Sequence, residues 1–175
     1  KAESRGLGDV YKRQAYGWRI ALDYPLTGSG FGSFSDPYFA IPYILEGAKL
    51  RASHSIYFEV LAEHGFIGLF LFFFILSAAI LTGQKIIKMA KPYAELSWAK
   101  DLAVAIQAGI VGYAVGGAFL AMSLFDLFYH FIAMMIVTYS ITLRELAKLR
   151  ERQGNSQVEI GSRPALAPSS SRFNV

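Results

Sequence analysis

The chain has no cysteine among its 175 residues. A disulfide framework, a thiolate nucleophile and a cysteine metal site are therefore excluded. Histidine is scarce as well, with His54, His64 and His130 the only three. None of them forms the His-Glu-x-x-His pair of a zinc hydrolase helix, so no metal or other cofactor is expected. Charged residues make up only 17% of the sequence, against 54% hydrophobic and 15% aromatic. That balance, with a mean hydropathy of +0.36, is too apolar for an average soluble domain and points to burial in a bilayer. The net charge of +4 resides in basic residues clustered beside apolar segments. There they set membrane orientation, and nucleic acid is not an expected partner.

Residues 1–14 show neither helical nor strand period and lack the apolar core of a signal peptide. Gly6 to Gln14 reads as a translated adapter tag, so the native protein is expected to begin upstream, with this chain its C-terminal part. From Ala15 to Tyr24, residues Trp18, Ala21 and Leu22 share a helical face that ends before Pro25, as the pre-proline restriction predicts. The segment Leu26 to Phe34 carries Gly28, Gly30 and Gly32 at alternate positions. Such a block forms either a backbone nest for an anion or a flexible turn; its spacing is neither the dinucleotide fingerprint nor the P-loop. Asp36 to Leu50, with Pro37, Pro42, Tyr38, Phe39 and Tyr43, reads as an ordered loop against the membrane interface.

Three apolar segments follow, 65–83, 102–122 and 125–143, each long enough to span the hydrocarbon core. Lys85, Lys88, Lys91 and Lys100 lie between the first two, and Arg144, Lys148, Arg150 and Arg152 follow the third. Two spans separate these basic segments, so both fall on one side, which the positive-inside rule makes cytoplasmic. Residues 15–64, including the His54 loop, then face outward. Gly112-x-x-x-Gly116 permits close approach of another helix. Ser123-Leu124 predicts a tight hairpin with Asp126 at its outer tip, and residues 147–175 a disordered cytoplasmic tail. The expected fold class is an all-α integral membrane protein, with three transmembrane helices of a larger multi-helix bundle and a periplasmic helical loop.

The candidate site is the junction at residues 53–72, where a polar helix runs through Gly65 and Gly68 into the first span. His54, at its start, carries an imidazole of unperturbed pKa ~6.5, suited to proton abstraction at neutral pH or to amphipathic packing at the interface. Tyr57, Phe58 and Leu61 share its helical face, while Glu59 and Glu63 lie nearly opposite, in structural or acid–base roles. Arg51 offers a guanidinium fork for phosphate oxygens, whether of a substrate or of a lipid headgroup. Asp126 and His130 lie four apart on the third span, where ionisable groups are functional suspects.

Trp18, the run Asp23 to Phe34, and Ala52-Ser-His-Ser-Ile-Tyr-Phe-Glu-Val-Leu-Ala-Glu-His-Gly-Phe-Ile-Gly-Leu69 together resemble the O-antigen ligase and polymerase superfamily. The likeness runs over about 15–146 and is greatest to O-glycosylation ligases associated with exosortase A systems. It implies inverting, metal-independent transfer of a glycan from a polyprenyl-diphosphate carrier to a hydroxyl of a glycan, lipid or protein acceptor. The reaction takes place on the outer face of the bacterial inner membrane. It also implies that His54 is the general base, and that Arg51, Gly28, Gly30, Gly32 and Tyr57 are candidates for the diphosphate. Glu59, Glu63 and Asp126 are secondary candidates. Relatives tend to carry an arginine shortly before the position of Trp18, where this chain has Gln14. Three spans enclose little volume for a lipid-linked donor, so the chain alone is expected to be inactive. A glycan chain polymerase, or a non-enzymatic membrane subunit or transporter fragment, are the alternative readings.

Overall fold

The computed structural model describes residues 14–36, 39, 41–43, 55–120 and 126–161. Regular structure among them is entirely helical. Helix α1 covers 14–23. It is followed by 3-10 turns at Ser33–Ser35 and Ile41–Tyr43, then by α2 (Ile56–Ala90), a 3-10 turn at Ala94–Leu96, α3 (Ser97–Gly117) and α4 (Leu127–Gly161).

Helix α2 is not a straight rod. Gly65 has φ 66 and ψ −167, which divides it into two arms, 56–64 (α2a) and 66–90 (α2b). The Tyr57 and Phe73 rings stack with centroids 5.4 Å apart. In a continuous helix those residues would sit ~24 Å apart along the axis. The chain therefore turns back on itself at Gly65, and α2a lies alongside the start of α2b. Residue pattern alone predicts one helix passing through Gly65 into the span. Glycine's freedom at positive φ, in a region no other residue readily occupies, is what permits the reversal.

Helices α2, α3 and α4 pack together around Ala79, Ile86, Ala99, Ala103, Ile106, Ile110 and Met135. Close contacts use glycine notches. The Phe131 ring of α4 fills the space at Gly109, and the Gln107 side chain lies over Gly83. Gln107 Nε2 donates to the Ile80 carbonyl at 2.7 Å, so the amide is satisfied inside the bundle. The Gly112-x-x-x-Gly116 motif takes no part in these contacts. No atom lies within 4 Å of a Cβ at either position, so among the described residues this face is open.

Two helices, α2 and α4, are long and apolar enough to cross a membrane. Only 11% of the most apolar window of α2 is buried inside the protein, whereas a soluble core helix would be largely covered. Phe70, Phe74, Leu81, Ile136 and Val137 accordingly face outward. Helix α3 is 21 residues long, and its apolar stretch is diluted by Lys100, Asp101 and Gln107. The expected hairpin at Ser123-Leu124 lies outside the described residues.

At one end of the bundle, Ala90, Leu96 and Leu146 form a small core. That contact brings the two basic segments to the same end, with α1 and the turn at Gly65 at the other. Helix α4 also corrects the expectation of a tail that is disordered from 147, because it continues to Gly161. Leu146 is buried, Lys148 Nζ donates to Glu145 at 2.7 Å, and the segment is rich in good helix formers.

Candidate functional site

The turn at Gly65 creates a supply problem that the glycine block solves. Where α2a ends, its last carbonyls lose their helical partners, and where α2b begins, its first N–H groups lack acceptors. Ser29 N donates to Ala62 O at 2.9 Å and Gly30 N to Glu63 O at 3.0 Å, while Phe66 N donates to Pro25 O at 2.8 Å. Ser29 Oγ adds a bond to Ala62 O at 3.0 Å. The loop thus caps one arm and receives the other. Backbone approaches are correspondingly tight. A Cβ on Gly28 would lie 2.3 Å from the Glu63 carbonyl carbon, and one on Gly65 would lie 2.6 Å from the Leu26 carbonyl.

This geometry bears on the two readings of the glycine block at Gly28 and Gly30. Gly28, Gly30 and Gly32 all have positive φ. The Gly28 N–H goes to Tyr24 O at 3.0 Å, and those of Ser29 and Gly30 go to α2a. Backbone donors engaged in this way are not available to cradle an anion, so Gly28 and Gly30 serve as structural turn residues.

Helix α1 supports the loop from behind. Tyr16, Ile20, Phe34 and Ala62 form its core, with the Tyr16 and Phe34 rings 4.8 Å apart. Burial, reinforced by Asp36 and Glu63, pushes the Tyr16 phenol up to about 12. The Tyr43 phenol is likewise raised to about 12, first by its hydrogen bond to Asp23. Trp18 meets Phe66 edge-on at 6.1 Å, tying α1 to the start of α2b.

A cavity of about 500 Å³ opens beside the turn. Its walls are apolar, from Ile67, Leu71, Ile75 and Phe72 on α2b to Tyr113 on α3 and Phe128 on α4. Its mouth is polar, with Thr27, Glu63, His64 and Tyr129. Glu63 is buried, at 6% exposure. His64 stands over Gly68 so closely that a Cβ there would lie 2.2 Å from the His64 Cβ, which explains the second glycine of the junction.

The sequence-predicted residues separate into groups. Glu63 lines the cavity, and Glu59 lies one turn earlier, half-buried on the same arm. Tyr57 crosses to α3, donating to Ala114 O at 2.6 Å, so it works as a helix clasp. Asp126 is exposed and offers its backbone oxygen, 2.7 Å from His130 Nδ1. Its carboxylate is not part of the cavity lining. His54 and Arg51 lie outside the described residues. Among the described residues no cluster of three His, Asp or Glu could hold a metal. His64 and Phe31 are cavity residues that sequence reasoning does not select. The available signal is Glu63-His64-Gly65, since a glycine inside a helical pattern marks a close approach or a helix end.

A family model described as O-Antigen ligase matches residues 11–73. The match takes in α1, the glycine block, both arms at the turn and the upper wall of the cavity. It supports a likeness to the O-antigen ligase superfamily over that part of the chain. No curated protein and no solved structure matches the chain.

Proposed function

We propose that this chain carries part of the outer-rim site of a membrane glycosyltransferase. The enzyme moves a glycan from a polyprenyl-diphosphate carrier to an acceptor hydroxyl, in the manner of the O-glycosylation ligases associated with exosortase A systems. All three of α2b, α3 and α4 cross the bacterial inner membrane. The basic ends of the bundle lie in the cytoplasm and the turn at Gly65 lies in the periplasm.

One observation carries this function: the O-Antigen ligase match spans both partners of the interlocked turn and the upper cavity wall. Displacing a polyprenyl diphosphate requires a base for the attacking hydroxyl, cations for the leaving charge and a site open to the lipid phase. His54 takes the acceptor proton as the new bond forms at the anomeric carbon. The bond from that carbon to the diphosphate oxygen breaks, and its electron pair leaves with the carrier. Arg51 faces the diphosphate charge. Inversion at the anomeric centre follows from direct attack.

The test is His54→Ala and His54→Gln in the native full-length gene, scored as glycan transferred to acceptor in membranes. Loss of about 10²-fold or more is expected for a general base. Full transfer by His54→Ala, or product of retained configuration, overturns the assignment. Ladder growth on the lipid carrier without acceptor modification would make the protein a polymerase.

A further inference from the structure

The loop that caps α2a does more than fill hydrogen bonds, because its tip carries an aromatic ring that neither the turn nor the core needs. Phe31 is 73% exposed, although it belongs to a loop and not to the lipid-facing surface of a spanning helix. Gly30 and Gly32 flank it with φ 103 and 78. A Cβ at either position would meet no atom within 4 Å, so they are not packing glycines like Gly28 and Gly65. Their contribution is backbone direction, and it turns Phe31 outward. Ser33 Oγ donates to Gly30 O at 2.6 Å and meets the Ser29 hydroxyl, which closes the neck of the loop. The Phe31 ring then stands 6.2 Å from the His64 ring and forms part of the cavity wall.

We infer that Phe31, with Thr27, Glu63 and His64, forms a saccharide subsite at the mouth of the cavity that binds the sugar ring of the lipid-linked donor. A pyranose has one face of C–H bonds and an edge of hydroxyls. The electron-rich face of a phenyl ring suits the former. A hydroxyl, an imidazole and a carboxylate, the last able to accept from two adjacent O–H groups, suit the latter. Among the described residues the cavity lining contains no lysine or arginine. A phosphate seated against the buried Glu63 would meet a carboxylate, whereas a neutral polyhydroxyl ligand incurs no such repulsion. A purely hydrocarbon ligand would leave the polar trio without partners. The subsite rests on the proposed glycosyl transfer and adds to it the residues that read the sugar.

The experiment compares two probes on the purified native full-length protein in lipid nanodiscs. One is polyprenyl diphosphate and the other is the same lipid bearing N-acetylglucosamine, with binding followed by native mass spectrometry. The sugar-bearing lipid is expected to bind more tightly by about three- to tenfold, the scale of one aromatic contact. Phe31→Ala should erase that advantage and leave the bare lipid unchanged, while Phe31→Trp should restore it. Because Phe31 is exposed, unaltered melting of the variants checks that the fold is kept. An advantage that survives Phe31→Ala overturns the subsite, as does an equal weakening for both lipids, which would make Phe31 a bilayer anchor. If the wild-type full-length protein binds neither lipid, the glycosyltransferase function falls, and the subsite with it.

Discussion

Replacing Gly65 by alanine is the most direct assault on the site. The backbone there, φ 66 and ψ −167, lies in a region that is essentially restricted to glycine, at a cost of about 1–3 kcal/mol for other residues. The added methyl would also lie 2.6 Å from the Leu26 carbonyl and 2.7 Å from Gly28 N. Both are backbone atoms, so the loop itself must retreat. Retreat weakens the bonds Ser29 N to Ala62 O, Gly30 N to Glu63 O and Phe66 N to Pro25 O. At about 1 kcal/mol each in net terms, with water replacing some of them, the total loss is roughly 3–5 kcal/mol. Hydrogen exchange by mass spectrometry on peptides covering 25–34 and 60–68 should show faster exchange at Ser29, Gly30 and Phe66. Thermal melting should fall in parallel. Gly112→Ala is the matched control, since open space surrounds it and alanine favours the helix. Unchanged exchange in Gly65→Ala, with melting like that of the control, would refute the interlock.

Two further expectations test the packing and the electrostatics. Gln107→Leu removes the bond to Ile80 O and places a branched side chain over Gly83, which should cost about 1–2 kcal/mol; a steady melting temperature would show that the clasp carries no weight. Tyr16 and Tyr43 are raised to about 12 from the ordinary 10.0, so the folded state favours their neutral phenols. Their contribution to stability is complete below pH 10 and is lost as the pH rises toward 12. Ultraviolet titration should therefore show two late-ionising tyrosines in this region, and Asp23→Asn should advance Tyr43. Ionisation of both near pH 10 would contradict the geometry.

Much of the architecture is legible from residue pattern alone. The apolar runs after Gly65 and Phe125 coincide with the two helices long and apolar enough to cross a membrane. The basic segments meet at one end through Ala90, Leu96 and Leu146, as two intervening helices require. What pattern does not carry is direction. The run from Ile56 to Phe72 has continuous helical character, so its reversal depends on one dihedral at Gly65 and on partners far earlier in the chain at Pro25 and Ser29. For the same reason the glycine block is, on spacing alone, open to an anion-binding reading. Only the long-range bonds from Ser29 and Gly30 reveal that these two donors are already engaged. The hydrogen bond of Tyr57 to Ala114 on another helix is likewise tertiary, and a helical projection of 53–72 cannot show it.

The interlock has a consequence for residues 37–54. The chain before them is anchored at Ser29 and Gly30, and the chain after them returns to those same residues at Ala62 and Glu63. The chain on either side of that stretch is thus brought together by the interlock itself. Closing a loop costs chain entropy that grows only with the logarithm of length, about 0.6 kcal/mol for each doubling. Added length between those anchors is consequently cheap for the fold, because the interlock at the turn does not depend on it.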